Sequence, residues 1–150
     1  MNIIFKRAEL NDVPELIRVQ NLSFRDDFEK YGECPAYGES PENMTDMVKN
    51  AIVYKVISAS RIIGDIIVRK KENSSYYLRT LAILPEFQNM KIGARALEFI
   101  EKDNPDGIFW FLITPSDNPR NRHFYEKHGY KKAKEITRSK LLTLIEYVKN

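Results

Sequence analysis

The feature that most constrains this chain is the spacing of three β-rich runs: AIVYKVIS (51–58), RIIGDIIVRK (61–70) and SYYLRTLAIL (75–84). Val, Ile and Tyr suit a pleated, half-buried surface, and connections this short join antiparallel neighbours. The runs therefore read as a meander. Beyond them, IGARALEFIEK (92–102) places Ile92, Ala96, Leu97 and Ile100 on one helical face, with Glu98 and Lys102 paired across a turn. GIFWFLIT (107–114) is short and apolar enough to be a buried strand.

The flanks extend this pattern. IIFKRA (3–8) reads as a first strand. Asp12 with Glu15 resembles a capping box opening a helix whose inner face carries Val13, Leu16, Ile17 and Gln20. YGECPAYGESPEN (31–43) is a loop, and Ser40-Pro41 caps a second helix over 41–50. Asn118-Pro119 opens a last helix that Gly129 ends. YKKAKEIT and LLTLIEYVK then form a terminal hairpin. The predicted order is βααβββαβαββ, a single α/β domain over 1–150 with a central mixed, mostly antiparallel sheet flanked by helices.

Composition narrows the function classes. Apolar residues at 43% and charged residues at 30% suit a globular domain, and no apolar run is long enough for a membrane helix. The single cysteine, Cys34, excludes an internal disulfide, and MNIIFKRAEL lacks the features of an export leader. The expected location is cytoplasmic. The net charge is only +3, but it is unevenly spread. Residues 26–42 hold Asp26, Asp27, Glu29, Glu33, Glu39 and Glu42 against Lys30. Residues 119–134 hold Arg120, Arg122, Lys127, Lys131, Lys132 and Lys134 against Glu126. Two solvated faces, or a cation-favouring and an anion-favouring end, both fit this distribution.

LPEFQNMKIGARALEFIE (84–101) runs from a strand end through a polar loop into a helix. A helix start has unpaired N–H groups and a positive dipole end, so it attracts anions. Gly93 leaves room for close backbone approach. A Walker loop and a Rossmann fingerprint are both excluded, because Gly-Lys-Ser/Thr and the glycine triplet are missing. His123 and His128 are the only histidines, and no spacing suggests a metal site.

Together, LAILPEFQNMKIGARAL and NPRNRHFYEKHGY resemble the GNAT superfamily of acyl-CoA-dependent N-acetyltransferases. Gln88, Lys91 and Gly93 fall on that family's Gln/Arg-x-x-Gly-x-Gly/Ala pattern. Asn118, Tyr125, Glu126, Lys127, Gly129 and Tyr130 match its later element. The resemblance implies acetyl-CoA as co-substrate and no metal. It also implies that the amides of Gln88, Asn89, Met90, Lys91, Ile92, Gly93 and Ala94 hold the diphosphate. Ile83 would lend its N–H to the thioester carbonyl, Asn118 would bond the pantetheine arm or serve only as a helix cap, and Tyr125 would protonate the departing thiolate. Lys91 stands where the pattern has glycine. A residue entering a first helical turn has negative φ, so lysine is expected there without strain, its ammonium near the phosphates.

The general base is not visible: YYLRTLAIL offers no carboxylate, which leaves water, Glu33, Asp27 or Glu72. The resemblance places the acceptor, a small-molecule amine or a protein amino group, beside the N-terminal helices. Phe28, Tyr31 and Glu33 are candidate contacts there, with Phe24 and Tyr37 nearby. A homodimer is compatible with this reading, and a membrane partner is not expected. The alternatives are a non-catalytic acyl-CoA binder and, less favoured, a nucleic-acid-binding module using the basic segment.

Overall fold

Apolar residues along the central strands decide how this chain folds, because the sheet they form packs helices against both of its faces. The computed structural model describes residues 2–150. Its strands are β1 (Ile3–Arg7), β2 (Ile52–Ser58), β3 (Arg61–Lys70), β4 (Ser75–Ile83), β5 (Phe109–Pro115), β6 (Lys131–Thr137) and β7 (Thr143–Lys149). Its helices are α1 (Val13–Tyr31), α2 (Pro41–Asn50), α3 (Ile92–Asp103) and α4 (Pro119–Lys127), with 3₁₀ turns at Leu10–Asp12 and Pro85–Phe87. The order is the predicted βααβββαβαββ.

All strands join one sheet, β1-β2-β3-β4-β5-β7-β6, antiparallel except where β4 and β5 run parallel. That parallel pair follows from α3, which carries the chain from the end of β4 back to the start of β5. One sheet face packs Val53 and Ile67 against Val13, Leu16, Met44 and Met47 of α1 and α2. The other packs Ile66, Val68 and Leu78 against Ile92, Ala96, Leu97 and Ile100 of α3, with Phe124 and Tyr125 of α4 at its margin.

Ser40 caps α2, its hydroxyl accepting from the Asn43 N–H at 3.1 Å. Gly32, with φ 75°, stops α1 in the left-handed region that glycine tolerates. The capping box differs from expectation. Asp12 does not pair with Glu15. Its carboxylate instead accepts from the Glu9 N–H at 2.8 Å and so closes the preceding 3₁₀ turn.

Candidate active site

The site begins where β4 and β5 part. They pair only through Ser75–Phe109, Tyr76–Trp110 and Tyr77–Phe111. Just beyond, Val68 pairs with Leu78 and Ile67 with Thr80, leaving Arg79 as a bulge on β4. A bulge bends its strand and increases twist, which carries β4 away from β5. The facing edges of 78–83 and 112–115 are thereby left apart. Leu84 donates its N–H to the Ile63 carbonyl at 2.9 Å. In an antiparallel ladder the neighbouring residue then aims its N–H and C=O to the opposite side. Ile83 thus faces the gap. Its carbonyl accepts from the Gln88 side-chain N–H at 3.0 Å, and its N–H points the same way. Gly64 opposite it permits this closeness, since a Cβ there would strike the Ala82 carbonyl oxygen.

Below the gap lies the loop into α3. Asn89 and Lys91 have φ of 64° and 63°, with Met90 between them at negative φ. Such alternation turns successive N–H groups inward to form an anion-binding concavity. Here the sequence expectation fails. Lys91 is the residue before the helix, in left-handed conformation, rather than a first-turn residue. That conformation costs a residue with a Cβ about 1–2 kcal/mol. No side chain caps α3 and its first turn has no acidic residue, so the amides of Ile92, Gly93 and Ala94 carry the dipole's positive end unneutralised. Gly93 also has a packing role, because a Cβ there would lie 3.0 Å from the Phe124 ring. Gln88 joins the parts. Its side-chain N–H donates to the Ile83 carbonyl, and its side-chain oxygen accepts from Arg120 at the start of α4, 2.5 Å away.

α4 brings the second motif alongside. The Asn118 side-chain oxygen caps the helix, accepting from the Asn121 N–H at 3.1 Å, which leaves its side-chain N–H groups for other work. The Tyr125 ring sits among Phe124, Tyr130 and Tyr147, with centroids 5.0, 5.7 and 6.4 Å away. Burial raises its pKa well beyond the ordinary phenol value. Its hydroxyl makes no hydrogen bond among the described residues. Tyr147, by contrast, donates to Glu126 at 2.6 Å and accepts from Arg122 at 3.3 Å.

On the α1–α2 face the expected contacts divide. Phe28 is 39% exposed and stacks on Tyr37 at 4.6 Å, an aromatic pair open to a ligand. Tyr31 is instead buried, and its hydroxyl bonds Asp117 at 2.5 Å, so packing occupies it. Glu33 is held by Arg138 of the β6–β7 connection at 2.7 Å. Half of the acids in 26–42 are therefore paired, Glu29 with Arg25 and Glu39 with Arg79 besides Glu33, and the segment's Lys30 pairs with Asp117 outside it. Glu72 lies in the β3–β4 turn, at the opposite end of β4 from Ile83, which removes it as a base. Asp27 is partly buried, and desolvation raises its pKa. Asp65 was overlooked: a carboxylate inside the apolar run RIIGDIIVRK was the signal, and its side chain is fully buried on β3. Among the described residues no cluster of His, Cys, Asp and Glu could hold a metal, and no helix is long and apolar enough to cross a membrane.

Comparison with known proteins agrees with this geometry. The chain superposes with a TM-score of 0.79 on PaiA N-acetyltransferase from Thermoplasma acidophilum, solved in complex with coenzyme A. The two are 21% identical, with 97% of this chain and 98% of that one covered. A GNAT-family acetyltransferase from Streptococcus pneumoniae gives 0.78 at 19% identity, covering 99% and 98%. At such identities the likeness establishes the fold. An uncharacterised Bacillus subtilis protein, YrkN, is 26% identical over 128 residues, spanning 82% of this chain and 69% of its own length. Residues 49–132, which contain the gap, the cradle and α4, match the family model described as the acetyltransferase (GNAT) domain, and the chain belongs to that family.

Proposed function

We propose that the protein is an N-acetyltransferase that moves an acetyl group from acetyl-CoA directly to a primary amine. The parting of β4 and β5 carries this reading, with the Ile83 N–H turned into the gap and an uncapped helix start beside it. The residues present fit such a cofactor. The amides from Gln88 to Ala94 would hold the diphosphate, and the side-chain N–H of Asn118 would bond the amide-bearing arm. When bound, acetyl-CoA supplies an acyl group activated as a thioester.

The chain's own residues then divide the work. The Ile83 N–H is fixed by the sheet before any substrate arrives, so it can polarise the acyl carbonyl without reorganisation. The Tyr125 hydroxyl keeps its proton across the working pH range, because burial raises its pKa, and that proton is available for the leaving sulfur. Its lack of a hydrogen-bond partner leaves it free to turn to that task. The test is calorimetric titration with acetyl-CoA, followed by thiol release across an amine panel. Binding with amine-dependent thiol release supports transfer. Binding without release from any amine would make the protein a non-catalytic acyl-CoA binder.

A further inference from the structure

Asp65 is the most deeply buried carboxyl group among the described residues, and neither cradle nor gap accounts for it. It is 0% exposed, and neither carboxylate oxygen has a partner among the described residues. Burying an unpaired charge is costly, so this arrangement calls for a reason. Lys55 stands directly across on β2, yet its ammonium bonds Asp12 at 2.8 Å. Arg79, on the bulge, is close enough to act on Asp65 electrostatically, yet its guanidinium bonds Glu39 at 3.2 Å. Both neighbouring cations are thus engaged with other carboxylates. Asp65, Glu39 and Arg79 form a secluded group of two carboxyl groups and one cation, in which burial favours the protonated form of Asp65 until a second cation is added.

The location fits a substrate site. Asp65 pairs in register with Ala82, the residue before Ile83, and lies on the face that carries Ile67 against α1 and α2. The cradle lies across the sheet, on the α3 side. α1 packs onto β3 and β4. Its Gln20 oxygen and Ser23 hydroxyl are the other buried side-chain atoms without a partner among the described residues. Gln20 is held in place by its N–H, which bonds the Ala36 carbonyl at 3.0 Å. Every one of these atoms can accept a hydrogen bond. An alkylammonium offers three donors and no acceptor, and its charge balances the group as Asp65 releases its proton to water.

Resting on the acetyl-transfer reading above, we infer that Asp65, Glu39 and Arg79 form the seat of the acceptor's positive charge. The acceptor is an alkylamine with a second, non-reacting ammonium that lies against Asp65 and Glu39 beneath α1, on the sheet face opposite the cradle, while its other nitrogen, neutral, is left to attack. Arg79 keeps the two carboxylates together while the ammonium completes their pairing.

Asp65→Asn and Glu39→Gln each remove one carboxyl group with almost no change of shape, so the group can no longer hold two negative charges around an added cation. Steady-state assays would use 1,4-diaminobutane and lysine amide, each with one amine to react and one to be seated, with melting curves to establish folding. Each variant should raise the amine KM about 10- to 100-fold, the effect of removing a hydrogen bond to a charged group. Acetyl-CoA affinity should be unchanged and kcat should move little. A purely structural Asp65 would leave the amine KM where it was, so an unchanged KM in either folded variant overturns the proposal. Wild-type protein that binds acetyl-CoA but acetylates neither of these amines overturns it too. Failure to bind acetyl-CoA at all would instead sink the acetyl-transfer reading.

Discussion

The side-chain N–H of Gln88 bonds the Ile83 carbonyl at 3.0 Å, fastening the start of the cradle to the strand residue that offers its N–H to the gap. Gln88→Ala removes this tie and the one to Arg120. The expected cost is about 1 kcal/mol per bond, or a Tm lower by roughly 2–4 °C for each. Acetyl-CoA affinity should fall as well. Calorimetry giving the wild-type Kd would show that the tie does not organise the cradle.

Lys91 provides a test of opposite sign. Glycine at its left-handed φ relieves about 1–2 kcal/mol of strain, offset by roughly 0.5–1 kcal/mol of extra unfolded-state freedom. Lys91→Gly should therefore raise Tm by a few degrees. Lys91→Glu should weaken acetyl-CoA binding, most of all at low salt, while barely affecting acetyl-pantetheine. Equal loss for both ligands would place the ammonium away from the phosphates.

For Tyr125→Phe, acetyl-CoA binding should persist while kcat drops. Loss of a general acid costs about 10²–10⁴-fold, less where the leaving group departs easily. Because burial raises the Tyr125 pKa, the wild-type rate should show no alkaline decline from this residue near the ordinary phenol range. Turnover equal to wild type, with chemistry rate-limiting, would remove Tyr125 from the reaction.

Asp65 makes stability depend on pH. Burial raises its folded pKa well above the unfolded value, so the folded state keeps a proton that the unfolded chain releases. Stability from this site is fully present below about pH 3.9 and is lost as pH rises toward the folded value. Asp65→Asn lacks that dependence. Its Tm advantage over wild type should widen through this window, by up to about 1.4 kcal/mol per pH unit. Parallel pH–Tm curves would show that the carboxyl is solvated in the folded protein.

What could be read from the sequence was what repeats along it. Alternation in 51–84 and the helical face of 92–102 gave the strands, their order and the helix behind the gap, since burial enforces both periods. Backbone sign changes carry no such period. Nothing in QNMKIG distinguishes a lysine just outside a helix from one just inside it, although φ differs completely between the two. Partner choice was equally hidden. Tyr31 and Glu33 looked available because Asp117 and Arg138, which engage them, lie 86 and 105 residues away. Asp65 could have been found, as a carboxylate in the middle of an apolar strand always requires a reason.

The brief pairing of β4 with β5 also has a mechanical consequence. Four strands on one side and three on the other are joined within the sheet by three residue pairs. The sheet behaves as two stiff plates on a short hinge, and its compliance is concentrated along that seam. Any molecule that bonds to both open edges acts as a splint, stiffening the hinge from the position where leverage is greatest.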